Sequence, residues 1–276
     1  MTKFIGRRLD PAAPVLGRLG SLDTRLARNT EEIKLAQQLR YEIFYGEMGA
    51  KASEQTRRLK RDKDAYDKFC DHLLVLDKRE DGTEKLVGTY RLLLDTHAND
   101  AGSFYSQGEF DLMPMLEANS NLRFMELGRS CILREYRSRR TMELLWHGNW
   151  AYSLANGVDV MFGCASFEGT DPEQFASSFA WLANNVMLDK HESCPSTHKD
   201  SLPLDAFADQ PFDNRRSLAA LPPLLKGYLR LGAKVGSHAV VDHQFGTTDV
   251  LVVLKVADIN PRYLAHYGVD ASRFAA

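Results

Sequence analysis

Apolar residues recur along the segment that begins at Thr30: Ile33, Ala36, Leu39 and Ile43 keep the three-and-four spacing of an amphipathic helix. Thr30, Glu31 and Glu32 supply its start, and the pattern runs on through RYEIFYGEM. Residues 48 to 71 are polar and basic without an apolar face, which predicts a long surface loop. HLLVLDK and KLVGTYRLLLD then flank Glu80, Asp81, Gly82 and Thr83 and predict an antiparallel hairpin. RFMELGRSCIL reads as a further strand, TMELLWHGNWAYSLANG as a helix ending at Gly157, and VDVMFGCAS as a buried strand. PEQFASSFAWLANN starts on Pro172, which the first turn of a helix tolerates. PPLLKGYLRLGA predicts a short helix closed by Gly232, followed by strands near AKVGSHAVV and DVLVVLKV. This succession predicts an α+β fold, with helices packed on a mostly antiparallel sheet.

The chain has 276 residues, 44% hydrophobic and 26% charged, enough for one large domain or one domain with an appendage. Its longest apolar stretches are strand-sized, well short of the roughly 20 residues a membrane span requires. The start, MTKFIGRRLDPAAP, has charge but no apolar run and does not read as a secretory signal, so a cytoplasmic location is expected. Cys70, Cys131, Cys164 and Cys194 contain no C-x-x-C pair and are expected to be reduced thiols. A net charge of -2 gives no pull toward nucleic acid. Two local runs are basic: Arg57, Arg58, Lys60, Arg61 and Lys63, then Arg134, Arg137, Arg139 and Arg140. Each is either solvated surface or a docking face for an acidic partner or a phosphate. His191, Cys194 and His198 have metal-like spacing but no evident fourth ligand, so they read as loop residues and no metal is expected. GCASFEG lacks the G-x-S-x-G elbow and does not support a hydrolase.

Six polar positions, with Phe44 beside the first, then stand in a distinctive order: Arg40, four residues before Phe44 on the first helix, Asp64 and Asp67 before the hairpin, Arg91 within it, and Glu126 with Arg129 on the following strand. This set resembles the acyl-homoserine-lactone synthases, GNAT-like enzymes that draw acyl chains from acyl carrier protein. CASFEGTDP, LPPLLKGYLRLGA and INPRY instead resemble the hemolysin-like ornithine acyltransferases, a likeness that runs from about Leu22 through nearly the whole chain. The Trp that usually follows the first helix in the synthases is missing, since none precedes Trp146, which counts against a lactone-forming adenosylmethionine site. The resemblance implies a GNAT-like acyltransferase fold, a mixed and mostly antiparallel sheet flanked by helices. It would occupy residues 21–258, between tails at 1–20 and 259–276.

Acyl transfer from a thioester needs an unprotonated amine, a polarised carbonyl and a thiol leaving group that takes a proton. The resemblance places the donor carbonyl against backbone N–H groups near Gly128 to Cys131, with Glu126 as the base, directly or through a water. The competing reading of Glu126 is a structural partner of Arg129. Ornithine carries a carboxylate and two ammonium groups, which call for a guanidinium and for carboxylates. Arg40, Arg91 and Arg129 are candidates for the first, and Asp64, Asp67 and Glu47 for the second, with Phe44 beside them. Salt bridges among these same residues are an equally simple account. CoA-dependent members of the fold cradle a pyrophosphate with a Q/R-x-x-G-x-G/A loop. The corresponding stretch here is Arg134-Glu135-Tyr136-Arg137-Ser138-Arg139-Arg140, without glycines.

Arg137, Arg139 and Arg140 therefore suit the single phosphate of an acyl-phosphopantetheine arm on an acidic carrier protein, with no permanently bound cofactor. The resemblance implies a 3-hydroxyacyl donor, the α-amine of ornithine as acceptor, and lyso-ornithine lipid as product, with peripheral contact at the inner membrane left open. The alternatives are an acyl-homoserine-lactone synthase-like N-acyltransferase acting on another amine, and a binding or cytolytic protein, for which no membrane-inserting segment is present.

Overall fold

The computed structural model describes residues 9–259 and Phe274. In chain order the strands are β1 (Val15–Leu19), β2 (Leu22–Leu26), β3 (Asp71–Lys78), β4 (Glu84–Leu94), β5 (Phe124–Ile132), β6 (Val160–Glu168), β7 (Ser201–Pro203), β8 (Lys234–Asp242) and β9 (Thr247–Lys255). The α-helices are α1 (Thr30–Tyr41), α2 (Glu54–Leu59), α3 (Asp95–Ala101), α4 (Met113–Ala118), α5 (Arg139–Ala155), α6 (Ala176–Asn185), α7 (Asn214–Ala220) and α8 (Pro223–Leu231). The chain divides into two compact units. The first comprises residues 9–103 and 125–158 with Phe274, the second residues 104–124 and 159–259.

In the first unit β1 to β5 lie in sequence order, each strand antiparallel to the next. Residues 15–19 are not a tail: β1 turns through Gly20, at φ +66°, into β2 and extends the sheet. The C-terminal tail and INPRY lie outside the described residues beyond Ile259, except for Phe274, which is buried and stacks on His147. The expected hairpin is β3–β4. α5 follows a cap in which Ser138 Oγ accepts the Thr141 N–H at 3.3 Å, and it lies against β1, β2 and β3. Close approach needs Gly148, where a Cβ would come within 2.8 Å of Thr24 Oγ1 and 3.0 Å of Leu73 Cδ2.

α1 is capped by Asn29, whose side chain accepts the Glu32 N–H at 2.9 Å. The helix does not run on evenly. Glu42–Glu47 winds as a π-helix, with the Met48 N–H donating five residues back to Ile43 O at 2.9 Å. The predicted loop 48–71 contains α2 and a 3-10 turn at Ala65–Lys68. The turn forms because Asp64 caps it from outside and Asp67 returns a bond to the Asp64 N–H, which satisfies the orphaned donors without an apolar periodicity.

The second unit carries β6, β9, β8 and β7 side by side, antiparallel, with one isolated parallel bridge between Met187 and Val235. PEQF is a 3-10 turn leading into α6. Phe179 of α6 meets Phe167, Phe175 and Phe207 at ring-centroid distances of 5.1, 5.8 and 5.4 Å, which joins helix and sheet in one aromatic core. Gly232 closes α8 in the left-handed region, at φ +107°, as a helix C-terminus favours.

Candidate active site

Four scattered stretches of the first unit, α1, residues 62–67, β4 and β5, meet at a buried ionic network. Arg40 of α1 is fully buried, and its Nη2 donates to Asp67 Oδ1 and Oδ2 at 2.9 and 3.0 Å. Arg40 Nε lies 2.8 Å from Asp62 Oδ2. Arg91 of β4 donates to Asp64 Oδ2 at 2.6 Å and reaches Asp67 Oδ1 at 3.3 Å. Arg129 of β5 reaches Asp62 Oδ2 at 3.1 Å and Asp64 Oδ2 at 3.4 Å. Three guanidiniums thus face three carboxylates, and the charges balance, as burial of ions demands.

Gln37 Nε2 adds a bond to Asp67 Oδ2 at 3.0 Å, and Tyr45 Oη one to Asp62 Oδ1 at 3.1 Å. Burial pushes the Asp67 carboxyl upward, but Arg40 and Arg91 outweigh it and hold the group well below the ordinary carboxylate range. Asp64 is likewise held down by Arg91 and Arg129 against its burial. His72, hydrogen-bonded through Nε2 to Asp67 O at 3.0 Å, is pushed down to about 4 by burial and by Arg40.

The strand register explains how Arg129 joins the group. Arg91 pairs with Gly128 and Leu93 with Glu126, so Arg91, Gly128 and Glu126 share one face of β4 and β5. In a regular strand Arg129 would point to the opposite face. Between the pairs Thr89–Cys131 and Arg91–Gly128, however, β5 spends one more residue than β4, so Arg129 and Ser130 together oppose Tyr90. This is a β-bulge, and Arg129 sits in it at φ +52°, a conformation a long side chain rarely adopts. The bulge returns the guanidinium to Asp62 and Asp64. Glu126 is 4% exposed, two residues along the strand from Gly128.

Of the expected residues, Arg40, Asp64, Asp67, Arg91 and Arg129 converge, with Glu126 on the face of Arg91 and Phe44 buried in the π-helical turn. Asp67 and Arg40 form the interior, whereas Asp64 and Arg129 keep 24% and 13% of their side-chain surface exposed. Asp62 was missed by sequence reasoning, because it lies outside the D-x-x-D spacing, yet it bridges Arg40 and Arg129.

Glu47, a candidate carboxylate for the acceptor's ammonium, has its carboxylate bound by Arg137 and Arg134, apart from the Asp62–Asp64–Asp67 group. The second basic run is likewise divided. Arg139 pairs with Glu143 one helical turn on, at 2.9 Å, and the Arg140 guanidinium lies over Gly20. Arg137 serves Glu47 and Ile132 O.

In the second unit, ligand atoms of Glu109, Cys164 and Asp249 lie within 4.8 Å of one another. Among the described residues this is the metal-capable grouping, and it does not include His191, Cys194 or His198. None of the four cysteines, all among the described residues, is in a disulfide. Burial raises the thiols of Cys70, Cys131 and Cys194 to about 12, so these three stay protonated at neutral pH.

Residues 39–147 match the family model described as an acetyltransferase (GNAT) domain. Among solved structures, an N-acyl amino acid synthase from uncultured soil microbes is 11% identical, with a TM-score of 0.47, covering 86% of this chain and 91% of that one. A CoA-dependent acyl-homoserine lactone synthase is 15% identical, with a TM-score of 0.46, covering 86% and 83%. Sequence relatives are much nearer. The L-ornithine N(alpha)-acyltransferase of Rhizobium meliloti (strain 1021) is 49% identical over 96% of this chain and 90% of its own length. Its namesake in Brucella abortus (strain 2308) is 44% identical over 95% and 94%, and that of Rhodobacter capsulatus is 35% identical over 90% and 95%. With identities of this size over nearly its full length, the chain belongs to the family of the L-ornithine N(alpha)-acyltransferases and carries a GNAT acyltransferase domain.

Proposed function

We propose that this protein transfers a 3-hydroxyacyl group from the phosphopantetheine arm of acyl carrier protein to the α-amino group of L-ornithine, giving lyso-ornithine lipid. This would be the first step of ornithine-lipid synthesis. The observation that carries the reading is the bulge at Arg129. It stands beside a buried acid, Glu126, and a charge-balanced network, in a chain whose relatives are named L-ornithine N(alpha)-acyltransferases.

A bulge turns main-chain groups of its strand out of the regular ladder, and N–H groups so placed can polarise a thioester carbonyl and hold its oxyanion. Glu126 would take the proton of the ornithine amine, directly or through one water, and the departing thiolate recovers a proton as the tetrahedral intermediate collapses. The buried thiols of Cys70, Cys131 and Cys194 are not nucleophiles at neutral pH, which favours direct attack by the amine. At the network's rim, Arg129 would meet the acceptor's carboxylate and Asp64 its side-chain ammonium, while Arg40, Asp62, Asp67 and Arg91 hold both in place.

Among the described residues no helix is long and apolar enough to cross a membrane. The reading places the enzyme in the cytoplasm, with release of its amphipathic product at the inner membrane surface.

The test supplies purified protein with 3-hydroxyacyl carrier protein and one of several amines, and follows free carrier thiol. Ornithine should support release and S-adenosylmethionine should not. Amide formation with adenosylmethionine alone would establish a lactone-synthase activity instead, and silence with every amine would leave a binding protein.

A further inference from the structure

Glu47 ends the π-helical turn and lies against the loop that precedes α5. Its carboxylate accepts from Arg137 Nη1 and Nη2 at 2.5 and 2.9 Å, and from Arg134 Nη2 at 3.0 Å. Arg137 also donates from Nε to Ile132 O at 3.0 Å, so both edges of its guanidinium are engaged. Arg134 contributes only Nη2 to this contact, and 75% of its side chain is exposed. The Arg137 guanidinium holds the Glu47 carboxyl below its ordinary range, which keeps it ionised at neutral pH. Two guanidiniums and one carboxylate leave this corner with a net charge of one.

Building on the donor reading above, we propose that Glu47 is a donor-specificity residue. It cancels one of two positive charges, and so fits the loop to a singly charged phosphodiester, the form in which phosphopantetheine is attached to a carrier protein. The same carboxylate disfavours coenzyme A, whose pyrophosphate and 3′-phosphate together carry about four negative charges at neutral pH. Arg137, fixed by Glu47 and Ile132, sets the position of the loop, and the open edge of Arg134 meets the phosphate. A tighter electrostatic match with two unopposed arginines would favour the more highly charged donor, so Glu47 works by repelling the wrong substrate.

The experiment compares kcat and KM for one acyl group carried on acyl carrier protein and on coenzyme A. Glu47→Gln is expected to raise the coenzyme A to carrier-protein ratio of kcat/KM by on the order of tenfold at low salt, through KM, and less at high salt. Glu47→Asp keeps the charge and should keep the wild-type ratio. Arg134→Gln should raise KM for both donors. A Glu47→Gln ratio equal to that of the wild type would overturn the proposal, as would an equal fall in kcat with both donors, the signature of lost loop support alone. A wild-type enzyme that prefers coenzyme A would contradict the donor reading itself, whereas the shift caused by Glu47→Gln still reports on the role of Glu47.

Discussion

Asp62 carries more of the site than its place in the sequence suggests, because it is the carboxylate that Arg40 and Arg129 share. Removing one member of a buried pair strands the remaining charge. Asp62→Asn should therefore cost about 3–5 kcal/mol in urea unfolding. A loss as small as that of an exposed pair would show the network to be solvated. Glu126→Gln tests the proposed proton transfer instead. It should lower kcat about a hundredfold and leave the KM for ornithine nearly unchanged, and an unaltered rate would remove Glu126 from proton transfer.

His72 makes the network acid-sensitive. Its pKa is about 4 in the folded chain against an ordinary 6.5, so the unfolded chain takes up the proton first as pH falls. The stabilisation is complete above 6.5 and drains away between 6.5 and about 4, by roughly 3 kcal/mol in all. Asp64 and Asp67, held below 3.8, add a further loss as pH falls past that value. Urea midpoints taken from about pH 7 to about pH 4.5 should decline, and His72→Asn should flatten the decline; a level wild-type profile would contradict this account.

Among the elements, those whose apolar spacing is regular were legible in the sequence. α1, the β3–β4 hairpin, α5 and the last two strands stand close to where the pattern puts them. Other features rest on signals no periodicity carries. β1 is a short strand of mixed residues made possible by the turn at Gly20. The turn at Ala65–Lys68 exists because two aspartates cap it, and those aspartates are legible as a motif but not as a capping box. The bulge at Arg129 comes from a register difference between strands, to which a single chain segment gives no clue. Deleting Ser130 would restore an even register and turn Arg129 away from Asp62 and Asp64. Turnover should be lost while the far-ultraviolet dichroism stays that of a folded protein.

α5 offers a second test at this scale. Gly148→Ala gains helix propensity of about 1 kcal/mol, but the new methyl meets Thr24, whose Oγ1 is held to Leu74 O at 3.1 Å and cannot swing aside. Overpacking of this kind costs about 1–3 kcal/mol, so thermal unfolding should shift downward. An upward shift would mean that helix and sheet part easily.

For the whole molecule, sequence motifs pointed to five of the network's six charged members without showing which are interior and which reach the rim. That division follows from burial, which sequence spacing does not encode. On the proposed reading, substrate contact falls to Asp64 and Arg129 at the rim, and proton transfer to Glu126. Arg134 and Arg137, ahead of α5, have a carboxylate partner, Glu47, distinct from the Asp62–Asp64–Asp67 group, as the proposed role in donor selection requires.

The most direct measurement uses ornithine labelled with nitrogen-15 at the α-position only, incubated with the purified enzyme and 3-hydroxyacyl carrier protein. The account requires the label to appear in a new amide, seen as a one-bond nitrogen–hydrogen correlation, with the δ-ammonium intact. Acylation at the δ-nitrogen, or no amide at all while the carrier thioester persists, would contradict it.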